Sequence, residues 1–359
     1  MTIEFASRLR KIPVYPAADG YALPEDIALL ASNESPDPPL PEVLTAAEHA
    51  LSGANRYPDP TSSRLRSRLA DRYGVPAQRI AVGNGSCDIL LAAGQALLEP
   101  GAEVVYAWPS FSVYPHLAAA SGATAITVPL DDHDRHQLDG MATEVTAATR
   151  LVVVCNPNNP TSTALPLRDI EAFLHRVPRH VCVIVDEAYC EFNLLDDPDA
   201  SIALLDRHAN LVLLRTFSKV YGMAALRIGF ALCASEEFPT AVDQVRQPFF
   251  ANVAAQAAAV EALRHQDEVV RRVERAVAGR MQLIGGLQNL GLHVAESQAN
   301  FVWVHLPEEV EEPEVIRGLT ERGVLVRAGG ALGRDNALRV TTGTEDENER
   351  FLSALRKHL

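Results

Sequence analysis

The chain has 359 residues, more than one ordinary hydrophobic core needs, so two domains are the natural expectation. A hydrophobic content of 47% excludes a disordered or low-complexity protein, and a formal net charge of −14 argues against binding nucleic-acid phosphates or an acidic membrane surface. The five cysteines form no C-x-x-C pair, Met1 to Lys11 carry no apolar leader-like run, and no stretch approaches the roughly 18 consecutive apolar residues of a membrane span; a soluble cytoplasmic protein is expected.

In chain order, residues 1–30 are expected to form an extended arm, because Pro13, Pro16, Gly20 and Pro24 interrupt any long element. Short apolar runs then alternate with helical patterns. The runs are Ile80 to Val82, Glu103 to Tyr106, Leu151 to Val154, Val181 to Val185, Leu211 to Leu214, and Ile228 to Phe230. Helices are expected at Cys87 to Leu98 and Leu167 to Leu174. Continuous apolarity marks strands covered on both faces, so this alternation predicts a parallel sheet with crossover helices. After Phe250 an Ala-, Glu- and Arg-rich stretch, Asn252 to Leu290, reads as one or two helices. Strands at Asn300 to His305, Val324 to Arg327 and Leu338 to Thr341 follow, with helices at Glu314 to Arg322 and Glu345 to His358. The expected organisation is an arm over 1–30, a large domain over 31–250 and a smaller α+β domain over 251–359.

In an open parallel sheet, ligands bind beyond the carboxyl ends of the strands. The residues following the apolar runs are Gly83-Asn84-Gly85-Ser86, Asn156-Pro157-Asn158-Asn159-Pro160, Asp186-Glu187-Ala188-Tyr189 and Thr216-Phe217-Ser218-Lys219. Gly83 to Ser86 leads from a strand into a helix, where backbone amides and the helix dipole favour a phosphate, although a plain turn reads equally well. It is neither a G-x-G-x-x-G fingerprint nor a Walker loop. Asp186 is either a cap or the partner of a pyridinium nitrogen. Tyr189 and Asn156 are candidates to hydrogen-bond a cofactor's phenolic oxygen; Asn156 before proline is also an ordinary turn residue. Lys219 alone would be a solvated lysine. Ser86, Ser218 and Arg227, however, can share one phosphate, and a lysine beside such cations has a lowered pKa and becomes nucleophilic.

The order of these motifs resembles the fold type I, class I/II aminotransferases that depend on pyridoxal 5'-phosphate (PLP), and within them the histidinol-phosphate aminotransferase group. The strings that carry it are Leu30-Ala31-Ser32-Asn33-Glu34, Asn55-Arg56-Tyr57-Pro58-Asp59, Asn156 to Thr161, Asp186 to Tyr189, Arg215 to Lys219 and Leu338 to Thr341. The resemblance implies a large domain with a mostly parallel seven-stranded sheet sandwiched by helices, a smaller α+β domain, and a homodimer with shared active sites. It implies that Lys219 is the catalytic lysine holding PLP, and that Ser86, Cys87, Phe111, Asn156, Asp186, Tyr189, Ser218 and Arg227 bind the cofactor, with Tyr57 reaching across the dimer. Substrate would meet Arg339, Arg327, Tyr15 and Asn33; no metal is expected. Cys87 replaces a usual Asp, Ser162 replaces a common Gly, and Gly329 to Arg334 departs from the pattern beside the substrate side chain.

The expected reaction is transamination of histidinol phosphate with 2-oxoglutarate. The alternative donor is phenylalanine or tyrosine; a decarboxylase of the threonine-phosphate type is a further reading. A cofactor-sensing transcription regulator would carry an added DNA-binding domain, which fits poorly with family strings starting near residue 30 and an acidic chain.

Overall fold

The computed structural model describes residues 3–5, 9–10 and 26–359. The expected arm therefore lies largely outside the described residues, and Tyr15 with it. Its last residues form β1 (Ala28–Leu29). There follow α1 (Pro41–Leu51), α2 (Ser63–Tyr73), β2 (Ile80–Gly83), α3 (Ser86–Leu97), β3 (Glu103–Trp108), α4 (Tyr114–Ser121) and β4 (Thr124–Pro129). Next come α5 (Leu138–Thr143), β5 (Thr149–Cys155), α6 (Leu167–Leu174), β6 (Cys182–Asp186), β7 (Leu211–Thr216), β8 (Gly229–Cys233) and α7 (Glu237–Val245). The chain closes with α8 (Val253–Ala262), α9 (Gln266–Asn289), β9 (His293–Val294), β10 (Phe301–His305), α10 (Glu312–Glu321), β11 (Val324–Leu325), β12 (Arg327–Ala328), β13 (Ala337–Thr341) and α11 (Glu345–Leu355).

Seven strands form one sheet in the order β2-β8-β7-β6-β5-β3-β4, parallel except for β8, which runs antiparallel to both β2 and β7. The fold is α/β, with the mostly parallel sheet that the apolar runs require. Its strands bury alternate side chains on opposite faces. Val105, Val152, Val154, Val183 and Val185 join one core, while Val104, Leu151, Val153 and Ile184 join the other. Both faces are therefore dry, as the unbroken valine runs of β5 and β6 predict. A four-stranded sheet, β12-β13-β10-β9, and a parallel pair, β1 with β11, pack under α9, α10 and α11 around a separate core that includes Val302, Leu338 and Phe351.

Several elements went unforeseen, β4, α1 and α2 among them. β4 sits at the sheet edge with most of its residues exposed or half-buried, so it lacks a buried strand's apolar run. The helices α1 and α2 bury only narrow stripes, Val43 and Ala47 in one and Leu65, Leu69 and Tyr73 in the other. The Asn252 to Leu290 stretch is two helices, with the Asn252 side chain accepting from Ala255 N–H to cap the first. The larger core does not stop at residue 250, since Ala254, Ala255, Ala258 and Ala259 of α8 belong to it. Among the described residues no helix is long and apolar enough to cross a membrane.

Sheet register fixes where the chemistry collects. Gly83 is opposite Gly229, Gly229 is opposite Thr216, and Cys155 is opposite Asp186. The ends of β2, β5, β6 and β7 thus share one edge.

Candidate active site

At that edge lies a cavity of about 660 Å³. Asp186, the last residue of β6, lies on its floor and is only 3% exposed. Its carboxylate accepts hydrogen bonds from the Tyr114 hydroxyl (2.9 Å) and the Ala188 backbone N–H (3.2 Å). Burial outweighs these donors and pushes the carboxyl up to about 6. Tyr114, fully buried at the start of α4, meets Phe111 edge-on at 5.7 Å, and Phe111 lines the cavity. Tyr114 was not singled out in the sequence, where it looks like any core aromatic.

Lys219 projects into the same space, with Nζ donating to the Ser32 carbonyl at 3.1 Å and lying 5.6 Å from the centre of the Tyr189 ring. Burial, followed by the positive charge of Arg339, lowers its pKa to about 8. Ser218 and Arg227 also line the cavity, and the guanidinium donates to Ser218 Oγ (3.3 Å) and the Ala224 carbonyl (2.8 Å). Arg227 is more open than its apolar neighbours suggest: it is exposed on this chain and takes a left-handed backbone (φ 56°). Ser86 and Cys87 open α3 on the opposite side. Burial raises the Cys87 thiol to about 11, which keeps it neutral. Asp88 caps this turn by accepting from Asn84 N–H (3.0 Å).

Gly85 in the turn before α3 and Gly229 beside it leave no room for a side chain. A Cβ on Gly85 (φ +82°) would meet the Arg227 guanidinium at 2.5 Å, and one on Gly229 would meet Ser86 N at 2.5 Å. Backbone amides, a serine pair and a guanidinium therefore converge with little steric bulk, which is the donor set a phosphate monoester takes.

The wall facing the small sheet carries two arginines. Arg339, buried on β13, donates to Asn159 Oδ1 (2.6 Å) and to the Ala31 carbonyl. Arg327 on β12 stands directly opposite Arg339 in the strand register, and both line the cavity. Asn33, in the left-handed region (φ 55°), donates from its amide to the Tyr189 hydroxyl (3.1 Å), and its backbone N–H donates to Thr341 Oγ1 (2.9 Å). Asn33 so ties β13 to the turn that carries Tyr189.

Two expected residues fall elsewhere. Asn156 does not line the cavity: its amide donates to the Leu165 carbonyl (2.9 Å) and accepts from Leu165 N–H (2.8 Å), so the side chain is consumed in holding the loop. Of the three asparagines in that motif, the one that lines the cavity is Asn159, three residues later. Tyr57 is 82% exposed and stacked on Phe249 at 4.5 Å, away from this chain's cavity. Ser162, standing where glycine is common, does adopt a positive φ of 61°, and its hydroxyl donates to the Thr161 carbonyl. In the divergent Gly329 to Arg334 segment, Ala331 and Leu332 line the cavity, whereas Arg334 donates to Asp134 (2.7 Å).

The residues present fit PLP. A phosphate cradle, an amine with a lowered pKa, an aromatic face at Phe111 and a buried carboxylate border one cavity of suitable size.

Comparison with known proteins gives the same picture. Residues 25–355 match the family model described as aminotransferase class I and II. An aromatic amino acid aminotransferase of Streptomyces avermitilis is 42% identical over 349 residues, covering 96% of this chain and 95% of the relative. A histidinol-phosphate aminotransferase 1 of Cupriavidus pinatubonensis is also 42% identical, over 97% of this chain and 92% of the relative. The crystal structure of a histidinol-phosphate aminotransferase from Sinorhizobium meliloti in complex with pyridoxal-5'-phosphate superposes with a TM-score of 0.86 at 27% identity, covering 99% of this chain and 98% of that one.

Proposed function

This chain belongs to the class I and II aminotransferases, PLP-dependent enzymes, and from that premise we propose that it transfers the amino group of an aromatic amino acid to 2-oxoglutarate. One observation carries the choice of donor. The Gly329 to Arg334 segment offers the cavity Ala331 and Leu332, while its single cation, Arg334, is bound to Asp134. A flat apolar side chain fits that wall beside Phe111, with the donor carboxylate on Arg339. Relatives named aromatic amino acid aminotransferase support the same reading.

Histidinol phosphate, placed first from the sequence, is the second reading. Arg327 and Arg339 stand opposite each other in the strand register and both border the cavity, so an anionic substrate group can meet two guanidinium donors there. A phosphate dianion suits that pair of donors, as does the second carboxylate of 2-oxoglutarate. Relatives named for histidinol phosphate favour it too.

When bound, PLP supplies an electron-withdrawing ring that makes the donor Cα proton acidic. Ser86, Ser218 and Arg227 would hold its phosphate, Asp186 would keep a proton on the ring nitrogen, Tyr189 would hydrogen-bond the ring oxygen, and Phe111 would offer the ring an aromatic neighbour. Lys219 would hold the cofactor, and its Nζ would take up the donor's Cα proton. Arg339, oriented by Asn159, fixes the carboxylate, and Arg327 and Asn33 border the same space. Tyr57, with Phe249, presents exposed rings to a second copy, so a homodimer with Tyr57 reaching the neighbour's phosphate is the active unit. Residues 31–250 make up most of the cofactor-holding domain and 251–359 most of the smaller one. Five unpaired cysteines support a cytoplasmic setting.

The test compares kcat/KM for phenylalanine, tyrosine and histidinol phosphate with 2-oxoglutarate as acceptor, following glutamate formation. Phenylalanine or tyrosine is expected to lead by about tenfold or more, the scale of roughly one apolar contact in a pocket. A lead for histidinol phosphate overturns the choice of donor, and carbon dioxide release without glutamate overturns transamination.

A further inference from the structure

Away from the cavity, a second group of side chains carries ligand chemistry that the transamination does not use. Glu171 and His175 are four residues apart, one within α6 and the other at its carboxyl end, which puts them on one helix face. His208 comes from the segment that leads into β7, and its ring lies 4.9 Å from that of His175, centroid to centroid. Each of the three offers a ligand atom, and these atoms lie within 4.8 Å of one another. His208 is 7% exposed, and its Nε2 has no hydrogen-bond partner. An imidazole nitrogen buried without a partner is a cost that the fold would normally remove, and a metal ion removes it by taking the lone pair.

We propose that Glu171, His175 and His208 form a site for a divalent transition metal of the zinc type, with a fourth position left to water. Two imidazoles and one carboxylate are the donor set that zinc accepts, and ligands on a sphere of about 2.1 Å radius stand roughly 3.4 Å apart. Exposed His175 turns easily enough to close from the present spacing. The competitor is Arg207, whose guanidinium contacts Glu171. It engages one carboxylate oxygen and leaves the other. A comparable triad, Asp134, His293 and His305, is a poorer candidate, because His305 and Arg334 each bond one of the two Asp134 oxygens. Metal at the first triad ties the end of α6 to the approach to β7, the strand that leads to Lys219.

The experiment uses the PLP-loaded enzyme, freed of metal with a chelator and titrated with Zn²⁺ by calorimetry and with Co²⁺ by visible absorption. One ion per chain is expected, with d–d bands free of thiolate charge transfer. His175→Ala, a surface change that leaves the core intact, should weaken binding about 100-fold by removing one of three ligands; Arg207→Gln should tighten it several-fold, and His293→Ala should leave it unchanged. The proposal is overturned by equal affinity in wild type and His175→Ala, by loss of binding in His293→Ala, by thiolate bands, or by no binding at about 100 μM metal.

Discussion

Asp186→Asn separates what this carboxylate does for the fold from what it does for the reaction. Burial raises its pKa from 3.8 to about 6, so the folded chain holds the proton more tightly than the unfolded chain. Between those values the folded state binds more protons, and stability therefore falls as pH rises; the loss starts near pH 4 and is complete above about 6. A difference of about two units corresponds to ~3 kcal/mol of destabilisation at neutral pH in the cofactor-free protein. The asparagine carbonyl still accepts from Tyr114, while its amide group then faces the Ala188 N–H, which has lost its acceptor, and this gives back ~1 kcal/mol. The net gain of ~2 kcal/mol raises the melting temperature by roughly 3 °C for a chain of this length. Differential scanning fluorimetry of both apo-proteins at about pH 8 and about pH 4.5 reads it directly. The variant should melt higher at the alkaline pH and lose most of that advantage at the acid one, where both chains carry a neutral group. In the loaded enzyme the same change should lower kcat by about 10³-fold, since a neutral amide no longer stabilises the ring proton. A variant no more stable than wild type at about pH 8, or one whose advantage is the same at both pH values, refutes the assignment of a costly buried charge.

Two further outcomes follow from the same floor of the cavity. Tyr114→Phe removes a donor that lowers the Asp186 pKa, so the carboxyl should rise further above about 6, the acid limb of the kcat/KM profile should move up, and activity near pH 7 should drop about tenfold; an unchanged acid limb would show that the hydroxyl does not act on Asp186. Lys219, lowered to about 8 by burial and by Arg339, should make PLP uptake by the apo-protein speed up about tenfold per pH unit below that value and level off above it; uptake still climbing beyond pH ~9.5, as for an ordinary lysine, would remove the depressed amine from the mechanism.

Most of the architecture was legible because dry strands leave an unmistakable mark. The runs at β5, β6 and β7 have no polar residue to face solvent, and a parallel sheet covered on both sides is the structure that tolerates this. From that sheet alone, the residues just past the runs had to gather at one edge, and Ser86, Asp186, Ser218 and Lys219 do so. What the pattern could not place were elements that bury only a narrow apolar face. The edge strand β4 and the narrow-striped helices α1 and α2 gain their positions from neighbours distant in sequence, α8 among them.

The same reason explains the misplaced asparagine. Within Asn156-Pro157-Asn158-Asn159-Pro160, composition offers three equivalent amides, and strand-end logic favours the first. The backbone decides otherwise by turning back on itself: Asn158 N–H donates to the Thr163 carbonyl, and Ser162 N–H donates to the Asn158 carbonyl. That turn sends Asn156 toward Leu165 and leaves Asn158 to bridge Ser110 and Thr161. Asn159 is left to meet Arg339, a partner 180 positions away that no local window contains. Strand patterning thus locates the edge of the sheet, but the choice among neighbouring side chains there belongs to tertiary hydrogen bonds. Arg327, Arg334 and Leu332 illustrate this on the same side of the cavity, where one guanidinium lines it, one is drawn off by Asp134 and the leucine between them lines it too.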